Sequence, residues 1–194
     1  MTAGAGRSVF IGMRAGDAAT LSQYNIGIGY DAMGANTVGS HNIVIGGAAG
    51  FDLQGPENVI IGSSAGANLT TTSGSVVIGH EAMFTATTDK WQVVIGQKAM
   101  YNHPAGAATE GTVAIGKEAG RTSQDSSSVA IGNFAGEINQ GMPNPIPAFS
   151  TIWPGTGSSV AIGDHAGKTD QQFASVAIGY NAGKTSQTLL GVAI

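Results

Sequence analysis

Twelve carboxylates and four histidines are the side chains in this 194-residue chain that could carry acid–base or metal chemistry. The acids are Asp17, Asp31, Asp52, Glu57, Glu81, Asp89, Glu110, Glu118, Asp125, Glu137, Asp164 and Asp170. Glycoside hydrolysis would need two of them held about 5–10 Å apart across a sugar. They are scattered singly, and the residues one repeat away from Asp164 are Asn133 and Tyr180 rather than a second acid. His41, His80, His103 and His165 stand at no metal-ligand spacing from one another. His80-Glu81 and Asp164-His165 fall at variable turn positions and read as exposed turn residues. A ring of symmetry-related His165 would bind an ion only if the turns faced a symmetry axis. Cysteine is absent, which removes thiolate nucleophiles, thiolate metal sites and a disulfide framework. No Ser-His-Asp set, phosphate loop or dinucleotide fingerprint is present. The expectation is therefore a chain that is not an enzyme, with no catalytic residues, no metal and no cofactor.

The glycines follow a different rule. Gly12, Gly29, Gly46, Gly62, Gly79, Gly96, Gly116, Gly132, Gly163 and Gly179 each close the same short phrase. Most are 16 or 17 residues apart; the exceptions are 96 to 116, a step of 20, and 132 to 163, a step of 31. A short fixed period means one structural unit stacked many times rather than a globular core. Each glycine follows an apolar tripeptide, from Val9-Phe10-Ile11 and Ile26-Gly27-Ile28 to Val160-Ala161-Ile162 and Val176-Ala177-Ile178. The third residue is Ile in all ten units and the first is Val or Ile. β-Branched runs bounded by glycine and polar residues read as strands.

Alternate strand side chains point to opposite faces, so the first and third residues share a face and the middle residue takes the other. Both faces are apolar, and a strand of that kind is normally covered on both. The interior of the coil covers one; the other needs a different cover. An alanine stands three residues after every glycine (Ala15, Ala32, Ala49, Ala65, Ala82, Ala99, Ala119, Ala135, Ala166 and Ala182), followed by Gly or, at Met33, Met83 and Met100, by Met. This reads as a tight turn with the small residue tucked under the strand and glycine in an unusual dihedral. The remaining stretch, such as Arg121-Thr122-Ser123-Gln124-Asp125 or Lys168-Thr169-Asp170-Gln171-Gln172, reads as a polar, outward segment with a scattered Leu21, Leu69 or Phe173.

Such a solenoid leaves an apolar ridge along its length, and ridges of that size mark an interface. Parallel self-association about a long axis would cover it with closed symmetry, and periodicity does not choose between two chains and three. Ten coils at about 4.8 Å each would make a rod on the order of 50 Å long. Burying each Val or Ile is worth roughly 1.5–3 kcal/mol, enough to offset the ordering entropy only if both faces are covered, so the oligomer is expected to be obligate.

The bulk composition agrees. Glycine is 31 of 194 residues and charged residues are 10%, as in a flexible linker, but a hydrophobic content of 42% placed at a fixed period argues for structure. A net charge of −4 gives no basic surface for nucleic acid. No run of 18 apolar residues suits membrane insertion. The first residues, Met1-Thr2-Ala3-Gly4-Ala5-Gly6-Arg7, do not read as a signal peptide. The final Gly191-Val192-Ala193-Ile194 reads as the start of an eleventh unit, that is, a fragment of a longer fibre or a last strand completed by a neighbour. The domain reading is one β-roll over 1–194.

The motif Ser-Val-Ala-Ile-Gly-x-x-Ala, beginning at Ser128, Ser159 and Ser175, resembles the head repeat of YadA-type trimeric autotransporter adhesins, a repeat also found in bacteriophage tail-fibre proteins. The resemblance runs from about Ser8 to Ile194. It implies an all-β fold, a left-handed parallel β-roll of about ten 16–17-residue coils, with three chains per fibre and the apolar strand on the trimer axis. The trimer-core residues it implies are Ile11, Ile28, Ile45, Ile61, Ile78, Ile95, Ile115, Ile131, Ile162 and Ile178. The spacing departs from the adhesin heads, being longer than about 14, and no neck motif, stalk or anchor is visible. The alanine-glycine after the turn, together with a start that does not read as a signal peptide, favours a phage tail fibre, a virion component for host attachment whose partners are its own copies, other virion proteins and a host cell-surface receptor or glycan. The alternative is the head of a bacterial surface adhesin; a glycan-degrading tailspike is disfavoured by the missing carboxylate pair.

Solenoids usually carry function where the chain leaves the repeat. The 31-residue step holds a Pro-rich insertion, taken as 137–158, with Pro143, Pro145, Pro147 and Pro154. Its Phe149 and Trp153 are candidate receptor or glycan contacts, as aromatic faces suit sugars and interfaces; the competing expectation is that the loop clamps a neighbouring chain or caps a groove, with both aromatics buried. Trp91 and Tyr101 are the further receptor-contact candidates. The 20-residue step carries Tyr101, His103 and Pro104, for which the competing expectation is local packing on an outer face.

Overall fold

The computed structural model describes residues 6–86, 88–103, 109–141 and 158–194. Eleven short strands form a single parallel sheet in which neighbours in sequence are neighbours in space. They are β1 (Val9–Ile11), β2 (Ile26–Ile28), β3 (Ile43–Ile45), β4 (Val59–Ile61), β5 (Val76–Ile78), β6 (Val93–Ile95), β7 (Val113–Ile115), β8 (Val129–Ile131), β9 (Val160–Ile162), β10 (Val176–Ile178) and β11 (Val192–Ala193). Every repeat tripeptide is a strand, and each pairs with the next in step, Ile43 with Val59 and Ile45 with Ile61 for example. The protein is an all-β solenoid of about ten turns. Both long steps leave the ladder intact: β6 pairs with β7 as Val93↔Val113, and β8 with β9 as Val129↔Val160. Residues 137–141 belong to the coil rather than to the insertion, since Ile138 donates to Lys168 O at 2.8 Å and Gly141 to Gln171 O at 2.8 Å.

The turn explains the glycine period. Gly46 has φ +141°, and a Cβ there would overlap the backbone carbonyl of Gly62 in the next coil, 2.6 Å from its carbon. The residue two places on is left-handed in every coil (Asp31, Ala48, Ser64, Lys98 and Phe134 among them), as is the Gly or Met after the alanine. That sequence of dihedrals reverses the chain and brings the alanine inside, where Ala32, Ala49, Ala65, Ala82, Ala99, Ala119, Ala135 and Ala166 are fully buried.

The middle strand residue is the one that fills the coil. Val44, Ile60, Val77, Val94, Ala114, Ala130, Ala161 and Ala177 have no exposed surface, while the first and third residues of the same strands face outward. Interior volume is shared with the far side of the coil. Where the middle residue is Val or Ile, the filling is completed by Leu53, Leu69, Met83 or Met100. Where it is alanine, the space is taken by Gln124, Gln140, Gln171 and Gln187, three of them with no exposed surface. The segment read from sequence as outward is therefore outward only in part. An inward Gln is tolerated because its amide reaches backbone carbonyls, as Gln171 does with Val160 O at 2.8 Å and Ser175 O at 3.3 Å. Its bulk also accounts for the glycine of the preceding turn: a Cβ on Gly167 would overlap the Gln171 amide, 2.7 Å from its Cδ.

A polar ladder runs up the interior on the residue before each strand. Asn42 N–H donates to Asn25 Oδ1 and Asn58 N–H to Asn42 Oδ1, both at 2.9 Å. Ser75 N–H continues to Asn58 Oδ1 at 3.0 Å, Gln92 N–H to Ser75 Oγ at 3.1 Å and Thr112 N–H to Gln92 Oε1 at 3.1 Å. Each side chain thus satisfies a backbone donor of the coil above, which a purely apolar filling would leave orphaned.

Candidate functional surfaces

The first and third strand residues form one outward face of Val and Ile. Ile11 is 57% exposed and Ile178 41%, with Ile43 and Ile45 also exposed; from β4 to β9 the same positions are half-buried by their stacked neighbours. The ten isoleucines assigned to a trimer core all lie on this face, Ile28, Ile61, Ile78, Ile95, Ile115, Ile131 and Ile162 at its half-buried positions. None of the described residues covers the face beyond the stacking of its own neighbours. The β-solenoid turns the middle residue inward and the other two outward.

The four contact candidates have separate fates. Trp91, two residues before β6, is 60% exposed with φ +55°. Its ring lies across Gly74 of the coil beneath, where a Cβ would come within 2.7 Å of Trp91 Cδ1. Tyr101 is half-buried and stacked on Phe84, ring centroids 5.3 Å apart, with Lys98 Nζ 5.4 Å from its centroid. It is a packed part of the coil wall, and the two residues sit on different columns of the solenoid. Phe149 and Trp153 lie outside the described residues.

Charges on the outer wall pair between coils. Arg14 meets Asp31 at 3.1 Å and Lys98 meets Glu81 at 3.4 Å. Glu137, its side chain 8% exposed, bridges Arg121 at 3.3 Å and Lys168 at 3.2 Å. Lys117 and Lys168 both stand over the Phe134 ring, at 5.3 Å and 4.9 Å from its centroid. Asp164 accepts from Asn133 Nδ2 at 3.3 Å and lies 2.6 Å from its own neighbour His165, so its partners are the amide one coil away and a histidine rather than a second carboxylate. Among the described residues, no group of three or more His, Asp or Glu side chains is disposed to hold a metal ion. No helix among them is long and apolar enough to cross a membrane.

One titratable pair escaped the sequence reading. His103, expected on an outer face, is inside the coil and almost fully buried, with its Nδ1 3.4 Å from Oδ2 of the equally buried Asp89. Desolvation pushes the Asp89 carboxyl above its usual range, opposed by the charge of His103 and by hydrogen bonds from Thr109. The two residues stand 14 apart, short of the repeat period, so no spacing rule joined them; His103 stands seven residues after Gly96, the position at which other coils carry the buried Leu53 or Leu69. The polar ladder, by contrast, had a signal: Asn25, Asn42, Asn58 and Ser75 recur at the repeat period directly before a strand. No protein-family model, curated protein or solved structure matches the chain.

Proposed function

We propose that this chain is a segment of a trimeric fibre for host attachment, of the kind found in bacteriophage tails. The observation that carries the reading is the uncovered Val/Ile face. It repeats at every coil, runs the length of the solenoid, and presents no charge in its first and third positions. A face of that length and composition is stable in water when other copies cover it. Three parallel copies would turn thirty-three strands, eleven from each, inward around one axis and leave the ion-paired walls facing solvent. The mechanism is mechanical: stacked coils resist bending and proteolysis, and the rod holds contact elements such as Trp91 away from the particle body.

The test is the solution mass of the chain at low micromolar concentration, by native mass spectrometry or light scattering, alongside the variant Ile78→Asp. Three chains for the wild type, with the variant dissociated or unfolded, is the expected result. A folded wild-type monomer would remove the physical basis of the reading. Attachment is read separately, as competition by the purified chain for adsorption of particles to host cells.

A further inference from the structure

Asp89 and His103 are ionisable groups buried inside the coil, and the donors and acceptors around them bear on how many protons they hold. Asp89 Oδ1 accepts from Thr109 N–H at 2.8 Å and from Thr109 Oγ at 3.0 Å. Its other oxygen, Oδ2, lies 3.4 Å from His103 Nδ1, an ion-pair distance at which neither atom has a hydrogen-bond partner. The second ring nitrogen, Nε2, lies 3.1 Å from the backbone oxygen of Gln124 in the coil above. A carbonyl oxygen only accepts, so Nε2 carries a proton. Neutral imidazole would then turn the bare lone pair of Nδ1 toward the carboxylate, a repulsive apposition that burial makes expensive. The contact is attractive only with one more proton between the two groups, either on Nδ1 as an imidazolium–carboxylate pair or on Oδ2 as a neutral pair. Both forms have zero net charge and the same proton count.

We propose that Asp89 and His103 trap one shared proton through neutral and mildly alkaline pH, and that this proton makes the pair a clasp. One carboxylate thereby holds both residues that flank 104–108, His103 through the proton and Thr109 through its amide and hydroxyl. Of the charged neighbours, Lys90 and Glu110 are exposed, and Asp125 is half-exposed and accepts from the Ser126 amide at Oδ1, 2.7 Å away. Glu137, the other buried acid, lies on the outer wall between Arg121 and Lys168. The clasp is internal to one chain, so it stands independently of how many copies associate.

The sign of the pH dependence follows. In the unfolded chain the two groups titrate near 3.9 and 6.5. Above about pH 6.5 the unfolded chain releases the proton that the folded pair keeps. The stabilisation is thus complete below that pH and is lost as pH rises, the unfolding constant growing about tenfold per pH unit and chain until the folded pair releases it too. Below about pH 3.9 the unfolded chain gains a third proton that the buried pair resists, so stability falls there as well.

The direct test is ¹⁵N NMR of the full, histidine-labelled chain from pH 5 to 8.5. The expected result is a His103 signal that stays protonated at Nε2 and constant across the range. A His103 signal that titrates within it, or one bare at Nε2, overturns the proposal. Asp89→Asn supplies a second test, because the amide keeps Oδ1 for Thr109 and donates from Nδ2 to neutral Nδ1. Between pH 6.5 and 8.5 the wild-type unfolding constant should rise about 50-fold and that of the variant should stay level. Equal slopes would refute the shared proton even if both proteins fold equally well.

Discussion

Adjacent glycines at positions 46 and 47 should respond to the same substitution in opposite ways. Gly46 is the turn glycine after β3, with φ +141°, a region that costs an L-residue roughly 1–3 kcal/mol before any contact is considered. A methyl there would also overlap the Gly62 carbonyl, approaching its carbon to 2.6 Å and the Ser63 nitrogen to 3.2 Å. Both are backbone atoms of the next coil, so relief requires opening the β3–β4 ladder. Strain and overlap together should cost Gly46→Ala at least about 3 kcal/mol per chain. Gly47 has no positive φ and nothing within 4 Å of its Cβ position. Gly47→Ala should be neutral or stabilising by about 0.4–1 kcal/mol, because alanine narrows the unfolded ensemble. Urea unfolding of both variants against the wild type, with midpoints compared at unchanged slope, measures the difference. Equal loss in the two variants would mean that the period reflects general chain flexibility, and the argument from dihedral and close approach would fail.

Other substitutions test the interior. Asn42→Ala removes the acceptor of the Asn58 amide and should cost about 1–3 kcal/mol, while Asn42→Ser, imitating Ser75 in its own coil, should recover much of that in the same assay. Ala161→Val should lose about 1–3 kcal/mol although Val is native at 44, 77 and 94, because Gln171 already occupies the space in its coil; a neutral result would show that coils repack independently of their far side. Glu137→Gln should cost at most about 1 kcal/mol, with the loss shrinking as salt is added, since Arg121 and Lys168 keep contact with solvent.

The class of fold was legible because its causes are local and repeated. A β-branched tripeptide, a glycine at an L-forbidden dihedral and an alanine three residues later specify one turn, and ten copies at one period specify a stack. The alternation rule also separated the middle residue from its neighbours before any coordinates. Which face is interior, and what fills it, depends on atoms at opposite sides of the coil. Gln171 reads as a surface residue until Ala161 is seen across from it, leaving room for an amide that finds the Val160 carbonyl. His103 reads as part of an outer bulge until the coil wall turns it onto Asp89. The sequence by itself determined the stacking, because backbone geometry and period suffice for that. Only the tertiary structure decided the interior and its buried pair, because volume and hydrogen bonding are settled between residues that no spacing rule connects.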